Sequence, residues 1–138
     1  YTRQPLGRTL SGTGKSFLYA LNVKLKQLTI KRNFYALLLI DDGKGKLTQQ
    51  ELAVLLDSDK VRVVRIIDYL SNKGYVKRVK DPLDRRKYNL VLTKKAEKEL
   101  PLIRKGIAEV IQKALKGISK KKIEEFYDIL YQIKNNIN

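Results

Sequence analysis

Apolar residues recur at intervals of three or four along most of the chain, and this spacing predicts a mainly helical fold. The pattern predicts a first helix over about 15–28 and a second helix over about 30–40. Residues 1–14 place Pro5 and three glycines among polar residues, so we expect an extended or mobile arm there. The turn-forming run 41–45 should end the second helix.

Capping signals define two further helices separated by a short polar turn. Thr48 and Glu51 have the spacing of a capping box, which predicts a helix that begins there. Asp59 is suited to cap a helix over 60–73, and Gly74 is suited to end it in the left-handed conformation. The buried stripe of that helix should comprise Val63, Ile67 and Leu70. Two helices joined by such a turn form a helix-turn-helix.

The apolar spacing changes from helical to alternating after Gly74. Residues 75–80 and 88–92 therefore predict two short strands, and Pro82 lies in the polar tip between them. Because this hairpin directly follows the helix-turn-helix, the whole segment predicts a winged helix-turn-helix.

Two long amphipathic helices follow the hairpin. Thr93 should cap the first, Pro101 should kink or divide it, and Gly117 should end it before Ser119 caps the last. A small winged-helix domain cannot cover both apolar stripes, so we expect a second copy of the chain to cover them in a homodimer. The predicted fold class is mainly α with a small β-hairpin wing and with N- and C-terminal dimerisation helices.

The charge balance of the chain points to a polyanionic partner. Thirty Lys and Arg against fourteen Asp and Glu give a net charge of +16. Residues 60–87 alone hold ten Lys and Arg against three Asp, so the excess is concentrated on one segment. Double-stranded DNA is the first expectation, ahead of an anionic membrane surface, and a lysine-rich surface that only aids solubility is the alternative.

The expected parts lie in one compact domain. Residues 1–29 form an N-terminal arm and dimerisation helix, 30–93 form the winged helix-turn-helix DNA-binding region, and 94–138 form the C-terminal dimerisation helices. No apolar run approaches the roughly 18–20 residues that cross a bilayer, so we expect a cytoplasmic protein with no membrane partner.

The chain contains no cysteine and no histidine. This composition excludes disulfides, thiol redox chemistry and thiolate metal sites, and it removes the commonest general base. We therefore expect no enzyme activity, no metal and no cofactor.

Several short runs between Leu47 and Thr93 have the residue types, order and spacing of one family of transcription factors. The runs are Leu47-Thr48-Gln49-Gln50-Glu51-Leu52-Ala53, Asp59-Lys60, Arg65-Ile66-Ile67-Asp68-Tyr69-Leu70, Lys73-Gly74-Tyr75-Val76, Asp84-Arg85-Arg86 and Leu92-Thr93. In these runs the chain resembles the MarR (multiple antibiotic resistance regulator) family. The resemblance implies a transcription regulator, often a repressor, whose dimer can respond to a small phenolic or anionic effector.

The helix over 60–73 is the candidate recognition helix. With its buried stripe inward, the residues offered to DNA are Lys60, Val61, Arg62, Val64 and Arg65. An arginine can reach guanine O6 and N7 or a phosphate, and a valine can contact a thymine methyl group. The resemblance places major-groove contacts at these same positions, and a solvated basic face is the alternative.

The hairpin tip is the second candidate contact, and its residues are Lys80, Asp84, Arg85, Arg86 and Lys87. An arginine on a narrow hairpin can enter the minor groove. Asp84 is expected to pair with a neighbouring arginine and so to fix the wing. The resemblance assigns one arginine of the motif to the minor groove, and the choice between Arg85 and Arg86 stays open.

Two other sets of residues are weaker candidates. Thr48 and Gln49 begin a helix whose amide groups could hold a phosphate, although capping alone explains Thr48. Tyr19, Tyr35 and Tyr88 are the candidates for lining an effector pocket.

The predicted function is that of a sequence-specific transcription regulator that binds duplex DNA as a homodimer. The two recognition helices of such a dimer would enter successive major grooves, which predicts a pseudo-palindromic site. The alternative is an architectural, chromatin-like DNA-binding protein with little sequence preference.

Overall fold

Six helices and one β-hairpin make up residues 3–138, which are the residues that this computed structural model describes. The helices are α1 (Leu6–Lys24), α2 (Phe34–Asp42), α3 (Gln49–Leu55), α4 (Lys60–Asn72), α5 (Lys94–Ala114) and α6 (Lys120–Ile137), and the strands are β1 (Val76–Lys80) and β2 (Tyr88–Leu92). Since the hairpin lies between α4 and α5, the predicted mainly α fold with a small wing is confirmed. Within this part of the chain, no helix offers an apolar stretch that could traverse a bilayer.

The N-terminal helix begins earlier than the sequence pattern predicts. We expect an arm over 1–14, but α1 already begins at Leu6, directly after Pro5, and residues 1–2 lie outside the described part of the chain. Proline suits a helix start because the first amide groups have no intrahelical partner. Three hydroxyls then donate to carbonyl oxygens one turn earlier, those of Thr9, Thr13 and Ser16. The prediction of an extended arm is therefore wrong for 6–14.

The connection between α1 and α2 is longer than predicted, because 30–33 are not helical. The backbone amides of Ile30 and Lys31 donate to the hydroxyls of Tyr75 and Tyr69, at 3.1 and 3.0 Å. Both amides are thus satisfied by side chains distant in sequence and do not take part in a helix.

The helix-turn-helix has the caps that the sequence predicts. The Thr48 hydroxyl accepts a hydrogen bond from the Glu51 amide at 3.2 Å, and the Glu51 carboxylate accepts one from the Thr48 amide at 3.4 Å. Asp59 accepts from the Arg62 amide at 2.7 Å, and Gly74 follows α4 with a φ of 81°. Each cap satisfies an amide at a helix start that would otherwise lack a partner. The predicted starts of α3 and α4 are confirmed.

The wing is joined through β2 to the segment that precedes α3. Strands β1 and β2 pair antiparallel, from Val76 opposite Leu92 to Lys80 opposite Tyr88. The Leu90 amide also donates to the Leu47 carbonyl at 2.7 Å, which joins β2 to the segment before α3. This hydrogen bond fixes the base of the wing next to the start of the helix-turn-helix.

Helix α4 buries the stripe that the sequence predicts. Val63, Ile67 and Leu70 are 0% exposed and belong to the same core as Leu90 of β2 and Ile103 of α5. Because a helix turns only one face inward, this packing decides which residues α4 presents to solvent.

Helix α5 is continuous from Lys94 to Ala114, although Pro101 lies inside it. Of the two alternatives predicted for Pro101, a divided helix is therefore wrong. Proline removes one helical hydrogen bond, and the loss is offset by burial of apolar residues on both sides of it. These residues are Ala96, Leu100, Ile103 and Ile107.

Tyr75 joins three parts of the fold from a fully buried position. Its hydroxyl accepts a hydrogen bond from the Ile30 amide at 3.1 Å and donates one to the Glu99 carboxylate of α5. Burial raises the pKa of Tyr75 to about 12, and the hydrogen bond to Glu99 contributes to the rise. The neutral phenol is thus the form that the folded protein stabilises.

We expect Tyr75→Phe to lower the free energy of unfolding near neutral pH by about 1–3 kcal/mol, because the buried Ile30 amide loses its acceptor. The neutral phenol contributes fully below the ordinary tyrosine pKa of about 10, and this contribution is lost as the pH rises towards 12. Urea denaturation over that range should therefore show wild type and variant converging. Tyr88→Phe, at a more exposed ring on β2, is the control, and an equal loss there would contradict the assignment.

Candidate nucleic-acid interface

The outward face of α4 carries the residues predicted for a recognition helix. At about 100° per residue, Arg65 and Val61 lie about 170° and 150° from the buried stripe, directly opposite the core. Val61 is 64% exposed, which is unusual for a valine unless another molecule covers it. Val64 and Lys60 face the wing, whereas Arg62 faces α2. The structure thus separates the two arginines onto different sides of the helix.

A cleft of about 660 Å³ lies between α4, the start of α3 and the wing. The predicted residues that line it are Lys60, Val64, Arg86, Lys87, Thr48, Gln49 and Tyr88. Its charged lining consists of Lys60, Arg86 and Lys87, together with Arg78 of β1 and the Glu51 carboxylate. Because four cations and one carboxylate share a concave surface, the cleft favours an anionic ligand.

The wing tip is held by Asp81, a residue to which the sequence pattern assigned no role. Its Oδ1 accepts from the amides of Leu83 and Asp84, at 2.8 and 3.1 Å. Its Oδ2 accepts from the side-chain amide of Asn89, which is only 7% exposed, at 3.1 Å. The hydrogen bond from Leu83 and then that from Asn89 lower the pKa of Asp81. An aspartate directly before Pro82 is a known turn signal that could have identified it.

Asp84 supports Arg86 at two points. Its Oδ1 accepts from the Arg86 amide at 3.0 Å and lies 3.5 Å from Nε of the same residue. The Arg86 side chain is nevertheless 93% exposed, so the guanidinium projects from a braced backbone. Arg85 and Lys80 are also exposed and have no ion pair within 3–138. The expected pairing of Asp84 with an arginine of the tip is present.

Replacing Asp81 or Asp84 by alanine makes the surface more positive, yet we expect weaker DNA binding. Each variant loosens the tip, and ordering it again on DNA should reduce affinity by about 3- to 10-fold. Hydrogen exchange should accelerate at the Leu83 amide in Asp81→Ala and at the Arg86 amide in Asp84→Ala. Tighter binding by either variant would show that its carboxylate acts only as a repulsive charge.

Thr48 and Gln49 lie at the edge of the cleft, with side chains already engaged. The Thr48 hydroxyl serves the capping box, and the side-chain Oε1 of Gln49 accepts from Arg78 Nε at 2.6 Å. The Arg78 guanidinium also donates to Asp68 at 2.7 Å. Sequence reasoning missed Arg78 because its partners are ten and twenty-nine positions away, and no local pattern signals such a contact.

The three tyrosines predicted for an effector pocket do not share one cavity. Tyr35 lines a second cavity of about 380 Å³, together with Leu18, Arg32 and Arg62. Tyr88 lies in the cleft beside the wing, and Tyr19 is exposed on α1. Burial raises the pKa of Tyr35 above its ordinary value. Among the described residues no group of acidic side chains could hold a metal ion.

A protein-family model described as the MarR family matches residues 27–87. The uncharacterized HTH-type transcriptional regulator YybA of Bacillus subtilis (strain 168) is 25% identical over 116 residues, which cover 84% of this chain and 77% of that protein.

Two solved DNA complexes have the same fold. The S. aureus MepR–DNA complex superposes with a TM-score of 0.89 at 20% identity, covering 99% of this chain and 100% of that one. The transcriptional repressor CouR, bound to a 23-mer DNA duplex, superposes with a TM-score of 0.81 at 23% identity, covering 94% and 92%.

Proposed function

We propose that this chain is a winged helix-turn-helix transcription regulator of the MarR family, whose model matches residues 27–87, and that it binds duplex DNA sequence-specifically as a homodimer. In this proposal 30–93 form the DNA-binding region, and 1–29 and 94–138 form the dimerisation part. Repression is the proposed outcome of binding. The two DNA-bound neighbours support the DNA binding, and the fact that one of them is a repressor supports repression.

The observation that carries the proposal is the cationic cleft between α4 and the wing. It sets the basic wing beside the outward face of α4, so one duplex can meet both. Val61 and Arg65 would then reach base edges in the major groove, while Lys60, Lys80 and Lys87 contact phosphates. All five side chains are exposed in the protomer.

Arg86 is our candidate for the minor groove. Asp84 already restrains its backbone and guanidinium, so less side-chain freedom is lost on binding than for an unrestrained arginine. Arg85 is then left to the phosphates that border the groove. A narrow, A·T-rich minor groove should be preferred at this point, because its negative potential is strongest.

The apolar surface of the C-terminal helix supports a homodimer. No residue of α6 is buried in the protomer, although its apolar residues recur at helical spacing. Its exposed apolar residues are Phe126, Tyr127, Ile129, Tyr131 and Ile137. A second copy would cover this face, and its two recognition helices would lie about one DNA turn apart.

The second cavity is the proposed effector site for a small phenolic or anionic compound. Arg32 and Arg62 supply positive charge there, and Leu18 of α1 supplies an apolar wall. Since the cavity lies between α1 and the helix-turn-helix, an occupant would favour one position of α4 relative to the dimerisation helices. Addition of 4-hydroxybenzoate as a probe should then release bound duplex.

Selection of preferred duplexes from a random pool tests the proposed function. We expect an enriched pseudo-palindrome whose affinity exceeds that of random duplex by about 10³-fold or more at physiological salt. Native mass spectrometry of the selected complex should show two chains per duplex.

Two results would reject the proposal in different ways. An affinity ratio near one would favour the architectural alternative, since charge alone binds all sequences equally. A single chain per duplex would reject the homodimer while leaving sequence recognition intact.

A further inference from the structure

Arg78, which lies on strand β1 of the wing, contacts both α3 and α4. Its Nε donates to the side-chain Oε1 of Gln49 at the start of α3, at 2.6 Å. One of its terminal nitrogens donates to Asp68 of α4 at 2.7 Å. A single side chain therefore bridges three elements.

This arrangement uses the geometry of a guanidinium. Arginine presents donors in a rigid planar fork, so two acceptors on different helices can be held at a fixed angle to the strand. Lysine carries a single ammonium on a flexible stem and cannot impose that angle. The Arg78 side chain is also partly covered, with 32% of its surface exposed, whereas that of Arg86 is 93% exposed.

The Asp68 contact distinguishes Arg78 from the two lysines of the cleft. Lys60 and Lys87 have no ion pair within 3–138, so their charge is free to meet phosphate. The Arg78 charge already faces a carboxylate. An Asp68 carboxylate on the outward half of α4 would repel DNA, and its presence is explained if it holds Arg78.

We propose that Arg78 is a positioning residue that sets the wing at a fixed angle to α4, so that both grooves are contacted in register. This inference rests on the proposed DNA binding and concerns how that binding is organised. The hydrogen bonds of Arg78 to Gln49 and Asp68 join strand β1 of the wing to α3 and α4. The major-groove face of α4 and the minor-groove tip of the wing then act as one rigid surface.

The test compares two substitutions at Arg78 on the duplex selected by the wild-type protein. We expect Arg78→Lys and Arg78→Ala to reduce affinity equally, by about tenfold, a typical effect of breaking one hydrogen-bond network. Hydroxyl-radical footprints should show loss of the minor-groove protection by the wing. Protection of guanine N7 by α4 should persist, which a general loss of stability would not produce. Arg78→Lys binding like the wild type would overturn the proposal and make Arg78 a phosphate contact.

A second experiment compares two variants that each remove one negative charge, at Asp68 and at Glu97. We expect Asp68→Ala to weaken binding by about the same factor, although it adds a positive charge to the DNA-facing side. Glu97→Ala, at an exposed site on α5 with no ion pair in the described chain, makes the same charge change as a control. The double variant with Arg78→Ala should bind no worse than either single variant. Tighter binding by Asp68→Ala than by Glu97→Ala would overturn the inference.

The two proposals fail differently. Wild-type protein that shows no preference among duplexes would reject the proposed function, and this inference would be rejected with it. A wild-type preference that survives Arg78→Lys unchanged would reject only the positioning role.

Discussion

Ile67→Ala should lower the free energy of unfolding by about 2–5 kcal/mol, the largest stability effect that we expect from one substitution in α4. Ile67 is 0% exposed and belongs to the apolar core that also contains residues of the hairpin and of α5. The substitution removes buried apolar groups and leaves a cavity that close-packed neighbours fill only in part. Urea denaturation of the full chain measures the loss.

Val61→Ala is the matched control for that experiment, since it truncates another β-branched residue on the same helix. Val61 faces solvent, so its loss should change stability by no more than about 0.5 kcal/mol. Its effect should appear in DNA affinity, because the valine methyl groups are proposed to contact thymine. A large loss of stability in Val61→Ala would mean that the outward face of α4 is misassigned.

Arg65→Ala should weaken binding to the selected duplex by about 1–3 kcal/mol and relax the preference at one base position. Arg65 lies opposite the buried stripe, where a side chain points straight away from the core. Binding titrations against the selected duplex and its single-base variants measure both effects. Uniform weakening across all sequences would instead identify a phosphate contact.

Arg62→Ala provides the comparison for Arg65. The sequence treats the two arginines as equivalent, but Arg62 lines the cavity beside Tyr35. We therefore expect Arg62→Ala to relax base preference less than Arg65→Ala does. A larger relaxation in Arg62→Ala would place that side chain on DNA despite its position on the flank of α4.

The positions that the sequence predicted well are those decided by local interactions. The capping box of Thr48 and Glu51, the Asp59 cap and the left-handed Gly74 depend on residues within one or two turns. The buried stripe of α4 likewise follows from helical periodicity. Such features can be derived from a short window of residues.

The features that sequence reasoning missed depend on contacts between distant residues. Tyr75 and Ile30 are 45 positions apart, and their hydrogen bond helps to keep 30–33 out of α2. Arg78 and Gln49 are 29 positions apart. The arm was mispredicted over 6–14 for another reason, because glycine content outweighed the continuing helical spacing of Leu6 and Leu10.

Helix α6 has eighteen residues and buries none of them in the protomer. An isolated helix of that length is only marginally stable in water, so α6 gains most of its order from whatever covers it. If a second copy covers it, mass action makes the unfolding temperature of the chain rise with its concentration. When growth dilutes the protein in a cell, the concentration of folded dimer would then fall more steeply than the total concentration of the chain. Release of DNA would need no effector at all.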